Sequence, residues 1–174
     1  RALAFSPDGK HLADSTETGV VSLYELSGLR EQRRLSGHVY GALNLAFHPS
    51  LPRLASSSND KTVILWDAES ARSLVQWGAD DVWITGLAFS PDGKLIASAR
   101  GNDDKAECAI RLWDVADGSP RKEFSTGDLH GVWALAFDPT SRRIAAGDSG
   151  GTISVFDIES GQVPLRENLG PSKI

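Results

Sequence analysis

Residues 147–151 read Gly-Asp-Ser-Gly-Gly. A serine set among glycines on a sharp turn has the form of an acyl-transfer nucleophile. That chemistry needs a histidine base and a buried carboxylate to orient it. The chain holds His11, His38, His48 and His130, and none stands in a local pattern that marks a general base for Ser149. Asp80-Asp81 and Asp103-Asp104 are carboxylate pairs, and Asn102-Asp103-Asp104 has the look of a calcium-loop fragment. The remaining ligands of such a loop are missing, so both pairs read as solvated loop residues and no metal is expected. The single cysteine, Cys108, precedes the apolar run 109–113. It reads as a small strand residue rather than a nucleophile. No catalytic residue and no cofactor are assigned.

Composition narrows the classes further. The chain has 174 residues, 40% of them hydrophobic and 24% charged, which suits a folded domain or part of a larger one. Acidic residues outnumber basic ones, 23 to 18, for a net charge of −5. Nucleic-acid binders carry a basic excess or stripe, so no nucleic-acid partner is expected. The densest basic cluster, Arg30 to Arg34, is broken by Glu31 and Gln32 and reads as a solvated edge. No apolar run reaches the ~18 residues of a membrane-spanning helix. No membrane partner is expected, and the expected location is cytoplasmic. One cysteine excludes a disulfide framework and a multi-cysteine zinc site. The chain begins at Arg1 and contains no methionine, as a processed chain or an excised fragment would.

The elements that position these residues come in four copies. Ala-Phe occurs at 4–5, 46–47, 88–89 and 136–137, spaced by 42, 42 and 48 residues. Each pair is followed by an aromatic-acidic pair: Tyr24-Glu25, Trp66-Asp67, Trp113-Asp114 and Phe156-Asp157. The third copy carries an insertion within 100–108. After each phenylalanine comes a residue, a proline, a polar turn and an apolar pair, as in Ser6-Pro7-Asp8-Gly9. Proline presets φ and glycine accepts positive φ, so these are turns. Apolar alternation on both sides predicts short antiparallel strands, and no segment sustains a helical period.

With Gly37-His38, Ala46-Phe47 and Trp66-Asp67 in one copy and weaker versions in the others, the chain resembles the WD-repeat β-propellers. The resemblance runs from Arg1 to about Glu167. It implies an all-β propeller segment with four blades of four antiparallel strands. The repeats are approximately 1–35, 36–77, 78–125 and 126–167, with 168–174 a tail or the start of a further element. It also implies a buried network of His38, Ser56, Asp60 and Trp66 in the second copy. These residues read as structural, because polar groups under a sheet must pair. The third copy keeps Ser98 and Trp113, with Asp80 in the histidine place and Asp103 or Asp104 as the aspartate. The fourth has Asp128, Ala146, Gly150 and Phe156, so it lacks the network, while the first offers Asp14, Thr18 and Tyr24. The second blade is therefore expected to be the most rigid. Aligned on the aromatics, Ser149 takes the place of Asn59, so the Gly-Asp-Ser-Gly-Gly stretch is the hairpin turn between the second and third strands of the fourth blade.

Propellers with an open ring expose their end blades. Four blades are few for this family. Three closures stay open: further blades in a longer chain, a homodimer closing an eight-bladed ring, or four blades closing alone. The resemblance implies a non-catalytic scaffold that binds a protein or peptide on its top face. The positions that face it are Arg1, Gly41, Leu43, Asn59, Trp83, Thr85, Gly131, Trp133 and Ser149. Tyr40 and His130 lie on the same connections, and the insertion around 102–105 is expected to project from that face. Trp83 and Trp133 either anchor the partner, as tryptophan often does, or pack between blades. The other functional reading is a regulatory or sensor propeller attached to a catalytic domain, such as a kinase, protease or signalling NTPase.

Overall fold

The computed structural model describes residues 1–78, 82–100, 108–126 and 131–170. Each Pro-Asp-Gly-type turn joins two strands whose apolar residues alternate, and each copy of the pattern folds into one sheet of four strands. The first holds β1 (Leu3–Phe5), β2 (His11–Ser15), β3 (Val21–Glu25) and β4 (Arg30–Leu35). The second holds β5 (Ala42–Phe47), β6 (Arg53–Ser58), β7 (Val63–Asp67) and β8 (Arg72–Trp77). The third holds β9 (Ile84–Phe89), β10 (Leu95–Arg100), β11 (Ala109–Asp114) and β12 (Pro120–Ser125). The fourth holds β13 (Val132–Phe137), β14 (Arg143–Asp148), β15 (Thr152–Asp157) and β16 (Leu165–Asn168). Pairing is antiparallel and follows chain order within every sheet. All regular elements among the described residues are strands, and no helix there is long and apolar enough to cross a membrane.

Turn chemistry repeats as the sequence does. In the first and third blades Ser6 and Ser90 donate their hydroxyls to Asp8 and Asp92, each at 2.6 Å. In the second, third and fourth blades the aspartate after the aromatic caps the next hairpin. Asp67 accepts from the amides of Glu69 and Ser70, and Asp157 from the amide of Ser160. These bonds hold both carboxyls below the usual carboxylate range.

The core lies between sheets, not inside any one of them. Ala13, Val21 and Leu23 of the first blade pack on Leu45, Leu54 and Trp66 of the second. Ala55, Val63 and Leu65 pack on Ile84, Leu87 and Ile96 of the third. Ala97, Ile110 and Leu112 pack on Val132, Ile144 and Phe156 of the fourth. None of these cores joins the fourth sheet to the first, and the four blades form an incomplete ring. Leu3 and Phe5 hold the places that Leu45 and Phe47 hold in the second blade, and they are 68% and 67% exposed.

Candidate functional site

Three innermost strands share one irregularity. In β5 the register jumps from Ala42 to Asn44, in β13 from Val132 to Ala134, and opposite β10 from Gly86 to Ile84. The residues left out of the ladder are Leu43, Trp133 and Thr85. They occupy the same repeat position, and a bulge re-aims its side chain away from the pleat. Trp133 is 45% exposed and Trp83, just before β9, is 49% exposed. Neither indole N–H has a hydrogen-bond partner among the described residues. Tyr40, on the connection between β4 and β5, is exposed as well, and Leu43 and Asn59 are half-buried. The Asn59 amide donates to the Gly41 carbonyl at 3.2 Å, which brings the β6–β7 turn to the same end of the blade.

Thr85 departs from the sequence expectation. It is 2% exposed, and its hydroxyl donates to the Val132 carbonyl at 2.5 Å. It joins the third blade to the fourth and is not open to a partner. The Asn44 amide group makes the matching link one seam earlier, donating to the Thr85 carbonyl at 3.1 Å. His130, Asp80, Asp81, Asp128 and the insertion at 101–107 lie outside the described residues.

The second blade contains a hydrogen-bonded chain of four side chains. Trp66 Nε1 donates to Ser56 Oγ at 2.8 Å, Ser56 Oγ meets His38 Nε2 at 2.7 Å, and His38 Nδ1 meets Asp60 Oδ2 at 2.9 Å. Burial alone would raise the Asp60 carboxyl. Hydrogen bonds from Thr62 and the Val39 amide, with the His38 ring beside it, hold it below the usual range instead. The order serine, histidine, aspartate is that of a nucleophile relay. Ser56, however, is 0% exposed and its oxygen is occupied by an indole. No acyl group can reach it. The chain ties the β4–β5 connection to the β6–β7 turn. Thr62 belongs to it too, donating to Asp60 Oδ1 at 2.6 Å. The sequence reading missed Thr62, although its place two residues after a turn aspartate was the signal.

In the third blade Trp113 Nε1 donates to Ser98 Oγ at 2.9 Å. In the fourth, Phe156 is buried, with its ring 5.5 Å from that of Phe124. Ser149 lies in the turn between β14 and β15, where its amide donates to the Gly131 carbonyl at 3.2 Å. Of the described histidines, none belongs to that blade. Cys108 is buried, and its sulfur accepts from the Gly131 amide at 3.3 Å. No group of three or more potential metal ligands occurs among the described residues.

The family model "WD domain, G-beta repeat" matches residues 29–67, 72–114 and 118–157. The chain belongs to the WD-repeat family, whose propellers are generally non-catalytic protein-interaction scaffolds. It is 30% identical to "WD repeat-containing protein VIP3" of Arabidopsis thaliana, over 80% of this chain and 46% of that protein. It is 32% identical to Striatin-4 of Homo sapiens, over 72% of this chain and 19% of that protein. The chain therefore spans less than half the length of either relative. Among solved structures it is similar to a chain of "Crystal Structure of Mitotic Checkpoint Complex". That likeness has a TM-score of 0.85 and 22% identity, and covers 97% of this chain and half of the other. At that identity it shows the fold.

Proposed function

We propose that this propeller segment is a non-catalytic, cytoplasmic scaffold that takes a protein or peptide partner at the face bearing Trp83 and Trp133. One observation carries the reading. Two tryptophans at the start of neighbouring innermost strands, Trp83 just before β9 and Trp133 in β13, stand half exposed beside the Thr85–Val132 link, and neither indole N–H has a partner among the described residues. Large rings held on a fixed support bury much area at little entropic cost. Tyr40 extends the same rim. The test is to crosslink and capture partners with the full chain and with a Trp83→Ala/Trp133→Ala double variant. Loss of the captured partner at unchanged melting temperature supports the reading. Undiminished capture removes this face from consideration.

The exposed end blades favour a second contact. Because Leu3 and Phe5 repeat the places of Leu45 and Phe47, the surface that covers them must be blade-like. A second copy closing an eight-bladed ring would supply it. Sedimentation equilibrium giving twice the monomer mass supports that closure, and a monomer excludes it.

A further inference from the structure

The seams between blades are not equally filled at the end opposite the tryptophans. The residue before the turn proline is histidine in the second blade and serine, Ser6 and Ser90, in the first and third. At the seam between the second and third blades that residue is His48. Its Nδ1 accepts the amides of Ser50 and Leu51 at 3.1 and 2.9 Å, and its Nε2 donates to the Gly93 carbonyl at 3.0 Å. At the next seam the Asp92 amide donates to Ser141 Oγ at 3.2 Å, turn to turn. At the first seam the residue is Ser6, which bonds within its own turn as Ser90 does. It donates to Asp8 and accepts from the His11 amide at 2.9 Å. A cavity of about 660 Å³ lies there, between the Ser6 turn and the His48 turn, and one of about 330 Å³ lies at the next seam.

The larger cavity has a floor of Leu23 and Phe47 and a rim that includes Pro7, Pro49 and Leu51. Its volume falls in the range of about 300–1,000 Å³ typical of ligand sites. One cation lies on its wall in a fixed pose. Arg33 Nε donates to the Glu69 carbonyl at 2.5 Å, and one terminal nitrogen makes a long contact of 3.5 Å to the Gln32 carbonyl. The other terminal nitrogen has no partner among the described residues. A guanidinium held in this way presents its open terminal nitrogen to a carboxylate with little further ordering. The nearby acids do not claim it. Asp8 serves its own turn through Ser6 and the Lys10 amide, and the Glu69 side chain is exposed on the rim. These two carboxylates disfavour a ligand with a run of acids.

We infer that this cleft between the first two blades binds a linear peptide segment. An aliphatic side chain of the peptide enters between Phe47 and Leu51, and a single adjacent carboxylate pairs with Arg33. The inference does not rest on the tryptophan face, which lies at the opposite end of the blades.

The experiment uses the full chain and a fluorescein-labelled hexapeptide, Gly-Ser-Leu-Glu-Ser-Gly, read by fluorescence anisotropy. Saturable binding is expected. Arg33→Gln or Leu51→Ser should each weaken it about tenfold. Both residues are exposed, so the melting temperature should hold. Replacing glutamate by glutamine in the peptide should cost as much as Arg33→Gln, and the two changes together little more. Trp83→Ala should change nothing. The inference is overturned if the peptide fails to saturate or if Arg33→Gln binds it equally well. It is also overturned if N-acetyl-leucine competes as tightly as the peptide, or if only Trp83→Ala abolishes binding.

Discussion

His48 donates its Nε2 proton to the Gly93 carbonyl at 3.0 Å and so closes the seam between the second and third blades. With Nδ1 accepting two amides, the ring is neutral. Burial pushes the imidazole below its ordinary 6.5, and nearby Arg53 adds to that push, while the Gly93 bond opposes it. The folded pKa is depressed, so this contribution to stability is fully present above pH 6.5 and is lost as pH falls toward and through the folded value. Urea midpoints should drop between pH 7 and pH 5, and His48→Gln should flatten that slope. An unchanged slope in the variant would show that His48 does not set it.

Gly9 and Gly93 occupy the same place in twin turns, with φ of +68° and +72°. A Cβ at Gly9 would meet nothing within 4 Å, whereas one at Gly93 would stand 2.5 Å from the His48 ring. Both alanine variants store backbone strain of about 1 kcal/mol. Gly93→Ala should exceed Gly9→Ala by at least about 1 kcal/mol, since it also expels the histidine. Equal losses in chemical denaturation would show that the seam yields freely.

Ser56 and Ser57 are neighbours with opposite consequences. Ser56→Ala strands the buried Trp66 N–H and the His38 ring nitrogen, at a cost of about 2–4 kcal/mol. Ser57 Oγ is buried without a hydrogen-bond partner among the described residues. Ser57→Ala should therefore be neutral or stabilising by up to about 1 kcal/mol. Thermal melts of the pair check both. A Ser57→Ala loss larger than 1 kcal/mol would contradict the assignment.

Amide exchange should be slower in β6 and β7, which the His38–Ser56–Trp66 chain cross-links, than in β14 and β15, where Phe156 packs without such bonds. Local opening then has a lower free energy in the fourth blade. Faster exchange in the second blade would reverse this ranking.

Strand positions and their grouping into four sheets were legible in the chain. The Ala-Phe and aromatic-acidic pairs repeat at nearly fixed spacing, and the turns between them are local chemistry of proline, aspartate and glycine. The second-blade side chains His38, Ser56, Asp60 and Trp66 were marked by the resemblance to the WD-repeat propellers, and their bonds to one another are a feature of the structure.

What happens between repeats was not legible. Leu43, Thr85 and Trp133 share one repeat position, yet the first is half-buried, the second is sealed and the third is 45% exposed. Thr85 is sealed because its hydroxyl finds the Val132 carbonyl 47 residues away. The cavity at the first seam likewise lies between side chains of two blades, Leu23 of the first and Phe47 of the second. Sequence alone determined which residues lie on which strand and face, because period-two alternation and turn chemistry are local. Tertiary structure decided which of them are open to a partner, because exposure at a seam depends on the side chain presented by the next blade.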